Sequence, residues 1–389
     1  MDLITVGQRI LKRLIENGYE AYFVGGMVRD CLLDREIYDV DITTSAKPDE
    51  VINLFEKTIG TGLKHGTVTV IEEGISVEIT TFRVESNYQD HRHPSDVMFT
   101  SSLVEDLKRR DFTINAIAQS VEGTLYDPFQ GLMDLRNNKI RAVGDPVERF
   151  KEDPLRMLRG LRFVSKLGFE LEPQTYEAIV LQSELIRHIS KERIKKEVEG
   201  LIQGKQSGKG LELLIKSGLT QYIDYFQGLK CYQDYPFEFI NSSLEYFALV
   251  GILNENQVES YLDAWPFSRE EKRLIKAIRN CYQTNLPLPY IQYKYGEQVA
   301  RAFHQLGCFF NKQARRFVSA ELVIQNRKEL AVDVKTLLKE VKRPKGPWIQ
   351  DLVERLEYEV IMKKLENKQQ VLVDYIKTNH LGELYEFKK

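Results

Sequence analysis

Cysteine is scarce: four in 389 residues, at positions 31, 231, 281 and 308, with no C-x-x-C pair. That spacing excludes a zinc knuckle or a disulfide framework and leaves ordinary core or surface thiols. Long apolar runs are absent too. Nothing approaches the roughly 18 uninterrupted apolar residues of a membrane span, and Met1 to Leu14 carries Arg9, Lys12 and Arg13 where a signal peptide would be apolar. A cytoplasmic protein with no membrane partner is expected. Net charge is almost missing, at −2, but the balance is uneven. Residues 271–389 hold 23 Lys and Arg against 14 Asp and Glu, whereas residues 1–270 hold 32 against 43. A basic segment suits a nucleic-acid backbone, and a solvated lysine-rich helical surface has the same composition. What is present, 42% hydrophobic and 29% charged residues, is enough to build soluble cores and excludes disorder and collagen. The length suits two or three compact units.

Residues 1–140 alternate short helical and strand patterns. Leu3, Val6, Ile10, Leu11 and Leu14 recur at helical spacing up to Gly18. Ala21–Val24 reads as a buried strand ending in Gly25-Gly26, followed by a helix over 27–33. Strands are predicted over 38–43, 67–71 and 75–83, with Glu73-Gly74 as a turn between the last two. From about 145 onward helix follows helix, punctuated by glycines at 168, 200, 204, 208 and 218. The fold class is α+β: a small mixed-sheet head, then an all-helical remainder.

Three constellations carry chemistry. The first is Gly25-Gly26-x-x-Arg29-Asp30 with Asp39-x-Asp41. Residues two apart on a strand share a face, so Asp39 and Asp41 present paired carboxylates while Val40 and Ile42 enter the core. Hard oxygen ligands favour magnesium over zinc, and paired glycines at a helix start let backbone N–H groups approach a phosphate. A strand-edge Asp pair beside a turn is the plain alternative. Glu78 either faces that pair across the sheet or is a solvated strand residue. The second constellation, Arg109-Arg110-Asp111-x-x-x-Asn115, offers guanidinium groups to a triphosphate or sugar, or is a helix entry capped by Asp111. Asp127 to Asp134 reads as a connector that closes the head.

The third is Glu152-Asp153-Pro154-Leu155-Arg156, with Arg159 and Arg162 at further three-residue steps on the predicted helix. An acceptor beside a donor matches the edges of cytosine and adenine and opposes those of guanine and uracil. Asp153 and Arg156 could therefore select CTP and ATP, with Arg159 and Arg162 reaching phosphates. A surface ladder of ion pairs would give the same spacing.

Taken in order, and with Ile189-Ser190-x-Glu192-Arg193-Ile194 and Glu197 added, these segments resemble the class II tRNA nucleotidyltransferases, the bacterial-type CCA-adding enzymes of the polymerase-β-like superfamily. The resemblance implies a nucleotidyltransferase head (1–140), a helical nucleotide-recognition neck (141–210), a helical body (211–290) and a basic, tRNA-binding tail (291–389). It implies template-independent addition and repair of the 3′-terminal CCA of tRNA. Asp39 and Asp41 would hold two Mg²⁺ ions, one activating the tRNA 3′-hydroxyl and one at the triphosphate as pyrophosphate leaves; Glu78, read from the strand pattern alone, is a further candidate catalytic carboxylate. Gly25, Gly26, Arg29, Arg110, Asn115, Asp153, Arg156, Arg159 and Arg162 would bind CTP or ATP, with Asn115 near the ribose. The expected partners are the acceptor stem and elbow of tRNA, and a homodimer is compatible with the sequence.

Alternatives within the family are A-addition and poly(A) synthesis; outside it stand a catalytically silent RNA-binding protein and a transferase acting on a small metabolite. The stretch from Glu85 to Ser102 resembles the flexible loop whose absence typifies CC-adding forms. Its two histidines, His91 and His93, lack further ligands at metal-binding spacing. No His-Asp dipeptide occurs, so no appended HD phosphohydrolase domain is expected.

Overall fold

Val6, Ile10, Leu11 and Leu14 form one stripe of the first helix, α1 (Leu3–Glu16), and all four are fully buried. They share a core with Phe23, Ile42, Val68, Val70, Val77 and Ile79 of the adjoining sheet, each contributing about 1.5–3 kcal/mol by leaving water. The computed structural model describes residues 2–88, 94–223, 226, 240–253, 262–263, 265–313, 315–341 and 344–378. It divides into two compact units, Met1–Gln233 and Asp234–Lys389.

The first unit opens with β1 (Ala21–Val24), α2 (Gly26–Leu32), β2 (Asp41–Thr44), α3 (Pro48–Leu54), β3 (Thr58–Gly62), β4 (Thr67–Glu72) and β5 (Ile75–Thr81). With β8 (Ala118–Gln119) and β9 (Leu125–Tyr126) these strands make a seven-stranded sheet in the order β3-β4-β5-β2-β1-β8-β9. Only β2 and β5 run parallel in it, so the sheet is mixed. Glu73 (φ 51°) and Gly74 (φ 81°) join β4 to β5, the double left-handed conformation of a tight hairpin turn.

Several expectations shift. The strand predicted from residue 38 begins at Asp41, and Asp39 lies in the preceding loop. β3 went unpredicted, because its two glycines read as a loop. The segment expected to be a flexible loop contains two paired strands, β6 (Arg83–Tyr88) and β7 (Pro94–Phe99), which form an antiparallel ribbon; His91 and His93 lie outside the described residues.

Two short helices, α4 (Leu103–Lys108) and α5 (Gly131–Arg136), complete the head. The Asp127 carboxylate accepts the N–H groups of Gly131 (2.7 Å) and Leu132 (2.9 Å), which starts α5. Gly131 is required there, since a Cβ would stand 2.2 Å from the Thr113 carbonyl oxygen. Gly131→Ala is expected to cost about 1–3 kcal/mol by overpacking against backbone, read as a lowered urea midpoint.

Five helices follow: α6 (Pro146–Glu152), α7 (Leu155–Leu167), α8 (Pro173–Gln182), α9 (Lys191–Ile202) and α10 (Ser207–Lys216). β10 (Lys139–Ile140) and β11 (Glu170–Leu171) form a small parallel pair, a strand the helical pattern concealed. Gly168 ends α7 in the left-handed region (φ 80°), whereas Gly200 and Gly208 lie inside α9 and α10 instead of between helices. The second unit contains α11 (Ser243–Leu253), α12 (Arg269–Thr284), α13 (Leu288–Tyr295), α14 (Glu297–Asn311), α15 (Val334–Val341), α16 (Trp348–Ile361) and α17 (Gln369–Thr378). Leu352, Leu356, Val360 and Leu372 anchor its core. No helix among the described residues is long and apolar enough to cross a membrane.

Candidate active site

The first unit carries a cleft of about 600 Å³ lined by Gly25, Gly26, Arg29, Asp39, Asp41, Arg110, Asn115, Asp153, Arg156, Arg159 and Arg162, together with Asp30, His65, Arg83, Arg109, Asp111, Phe163, Lys166 and Arg193. Eleven of the twelve site residues read from the sequence therefore meet in one cavity. Glu78 does not line it. Its Cα pairs with that of Asp41 in the parallel register, and it stays exposed, with Val77 and Ile79 buried on either side of it.

Burial of Val40 and Ile42 turns Asp41 away from the core and toward the cleft. Burial and the neighbouring Asp39 charge push the Asp41 carboxyl up to about 6; Arg110 opposes the rise and Glu78 adds to it. Carboxylates crowded this way are short of positive charge, and their hard oxygen donors suit a small divalent cation. Among the described residues no group of three or more His, Cys, Asp or Glu side chains has metal-binding geometry. The chain thus offers a carboxylate pair, the donor set of an ion that keeps water and phosphate among its ligands.

Gly25 precedes α2 with φ 71° and ψ −135°, a conformation costly for any other residue. A Cβ there would stand 3.3 Å from Asp41 Oδ2 and 3.4 Å from Arg110 Nη1, so the glycine keeps carboxylate and guanidinium close to open backbone. Arg29 is buried. Its Nε and Nη2 donate to both oxygens of Asp30 (2.9 and 2.7 Å), and its Nη1 donates to Asn115 Oδ1 (2.7 Å). Asn115 Nδ2 donates in turn to Asp111 Oδ1 (3.1 Å). The amide expected near a ribose is therefore engaged at both ends in holding Arg29 and Asp111.

Pro154 separates α6 from α7, and the residue before a proline is driven to extended backbone. Asp153 accordingly sits at φ −137° and ψ 98° at the break, not on a continuous helix as the spacing suggested. Its Oδ1 accepts the Leu155 N–H (3.1 Å) and its Oδ2 accepts from Arg193 Nη2 (2.9 Å). Arg156 is anchored by Glu152 (2.8 Å) and by the Arg109 carbonyl (2.9 Å). Arg159 donates through Nε and Nη2 to Asp111 Oδ2, at 2.8 and 2.6 Å. Burial would raise the Asp111 carboxyl, but Arg159, the Asn115 amide and the Phe112 N–H hold it down to about 2. Arg162 reaches Glu197 at 3.2 Å. It crosses α9 at Gly200, where a Cβ would meet its Nε at 2.5 Å, which is why a glycine interrupts that helix's surface.

Local spacing gave no role to His65, Arg83, Lys166, Asp111 as the partner of Arg159, or Glu197 as the partner of Arg162. A signal did exist for the last two, since both stand within motifs whose neighbours are arginines. Of the lining residues nine are cationic and five are carboxylates, an excess that suits a polyphosphate.

A family model described as the poly A polymerase head domain matches residues 21–141. One described as a probable RNA and SrmB-binding site of polymerase A matches 168–225, and one described as a putative tRNA nucleotidyltransferase domain 2 matches 237–376. The chain is 40% identical over 383 residues to the CCA-adding enzyme of Enterococcus faecalis, covering 95% of this chain and 94% of that one. With the CCA-adding enzyme of Lactobacillus johnsonii it shares 41% over 393 residues, covering 97% and 98%. The crystal structure of the Bacillus stearothermophilus CCA-adding enzyme in complex with CTP matches at a TM-score of 0.82 and 36% identity, over 98% of both chains.

Proposed function

The chain belongs to the family of CCA-adding enzymes, and from that premise we propose that its cleft adds CMP and AMP to the 3′ end of tRNA, using CTP and ATP. The observation that carries the reading is the meeting, in one cleft, of the Asp39 and Asp41 carboxylates, a surplus of arginines and the Asp153–Arg156 pair. Asp39 and Asp41 would hold the metal, Mg²⁺, which when bound would supply charge neutralisation at the triphosphate and activation of the attacking 3′-hydroxyl.

The protein's own part is positioning and electrostatics. Open backbone at Gly25 and Gly26 lets the triphosphate approach the start of α2, beside Arg110. Arg29, clamped by Asp30 and Asn115, keeps that turn rigid. Arg159 and Arg162, held by Asp111 and Glu197, face the phosphates. Asp153 accepts from the exocyclic amino group of cytosine or adenine while Arg156 donates to the adjacent ring nitrogen, so a side-chain pair replaces a template strand. Residues 1–140 form the head, 141–210 the neck, and the segments beyond form body and tail, with the basic end of the chain meeting the tRNA backbone.

Incubation with tRNA lacking its last three nucleotides, Mg²⁺ and one or both nucleotides tests the reading. C incorporation from CTP, followed by A when ATP is added, is the expected result. A alone would mean A-addition or poly(A) synthesis, and no incorporation would overturn the enzymatic reading.

A further inference from the structure

Asp106 on α4 has been given no role, yet its side chain is fully enclosed (0% exposed) directly behind the cleft wall. Its Oδ1 accepts from Arg109 Nε (2.9 Å), with Arg109 Nη2 at 2.8 Å, and from the backbone N–H of Arg83 (3.4 Å), the first residue of the β6–β7 ribbon. Its Oδ2 accepts from Thr43 Oγ1 on β2 (3.0 Å) and from Arg110 Nη2 (3.3 Å). One carboxylate thus joins the strand that begins at Asp41, both arginines of the Arg109-Arg110 pair and the root of the ribbon. Burial would raise its pKa, but Arg109 and Arg110 outweigh that and hold it below the usual carboxylate value.

The geometry gives this junction a task. Arginine is long and many-jointed, and a guanidinium contributes to catalysis only when its fork is aimed in advance. Anchored through Nη2, Arg110 presents Nη1 against Gly25, on the side where Asp41 Oδ2 also stands. Its Nε is buried with no hydrogen-bond partner among the described residues, so the Nη2 contact to Asp106 carries the anchoring. We propose that Asp106 is a positioning residue for nucleotidyl transfer: acting through Arg110, it holds that guanidinium at the Gly25–Asp41 corner, braced by Thr43 and by the Arg83 N–H. The inference rests on the reading of Arg110 as a nucleotide contact.

A double-mutant cycle on the full chain tests it, with CTP affinity measured by titration calorimetry in Mg²⁺ for wild type, Asp106→Asn, Arg110→Ala and the double variant. Asn keeps the shape and one acceptor and removes the charge. Asp106→Asn alone is expected to weaken CTP on the order of tenfold, the value of a charge-assisted hydrogen bond. In the Arg110→Ala background the same change should have almost no effect. Undiminished affinity in Asp106→Asn, or losses that multiply in the double variant, would overturn the inference while leaving the role of Arg110 intact. Normal CTP affinity in Arg110→Ala would remove the nucleotide-contact reading, and the inference with it. Should Asp106→Asn fail to melt cooperatively, Thr43→Val in the same cycle decides by the same criterion, since it keeps the carboxylate and removes one brace.

Discussion

Asp39→Ala and Asp41→Ala are each expected to lower nucleotide incorporation by about a thousandfold or more while leaving affinity for tRNA within about twofold of wild type. The magnitude follows from the several kcal/mol that a correctly held metal contributes to transition-state charge stabilisation, at tenfold per 1.36 kcal/mol. The selectivity follows from geometry. Both residues line the cleft, whereas the positive surplus suited to an RNA backbone lies in residues 271–389. Removing either charge also relieves the crowding that lifts the Asp41 carboxyl to about 6, so the variants should fold at least as stably as wild type. Single-turnover incorporation and filter binding of tRNA, measured together, check both halves. Substantial turnover in either variant would remove the metal assignment, and a parallel collapse of tRNA binding would mean that the pair holds RNA instead of an ion.

Much of this site was legible because its parts are short and locally determined. Alternation is enough to turn Asp41 away from a core that takes Val40 and Ile42, while Asp39, in the loop before the strand, still reaches the same cleft. A glycine pair between a strand and a helix is enough to mark close backbone approach. What stayed hidden was pairing between distant segments: Arg29 with Asn115, 86 residues apart, and Arg159 with Asp111, 48 apart. Local spacing does not encode how distant segments are set against each other, so it could nominate these arginines as phosphate contacts without naming the amide and the carboxylate that hold them. Asp106 was concealed for the opposite reason. Its partners Arg109 and Arg110 are only three and four residues away, a spacing that ordinarily means a solvated surface pair; only its complete burial and its long-range bond to Thr43 reveal a junction. The β6–β7 ribbon escaped notice because β6 sets Val84 among polar residues and the apolar residues of β7, Val97, Met98 and Phe99, run consecutively instead of alternating.

Asp153→Ala is expected to reduce the preference for CTP over UTP roughly 5- to 150-fold, the 1–3 kcal/mol that a paired base-edge contact contributes to discrimination. The acceptor it removes is aimed, since Arg193 holds Oδ2 and the Leu155 N–H holds Oδ1, and the donor beside it is fixed by Glu152 and the Arg109 carbonyl. With the carboxylate gone, the carbonyl that uracil or guanine presents at that position no longer meets a negative charge, so rejection weakens as incorporation of C and A declines. The same substitution removes a cap at the start of α7 and should cost about 1 kcal/mol of stability, which bears equally on all four nucleotides. Discrimination is a ratio, so a loss of folded protein cancels from it and a lost template does not. Incorporation efficiencies for the four nucleotides, compared between wild type and variant, separate the two effects. An unchanged ratio with uniformly lower rates would reduce Asp153 to a helix cap and move base selection to another part of the cleft.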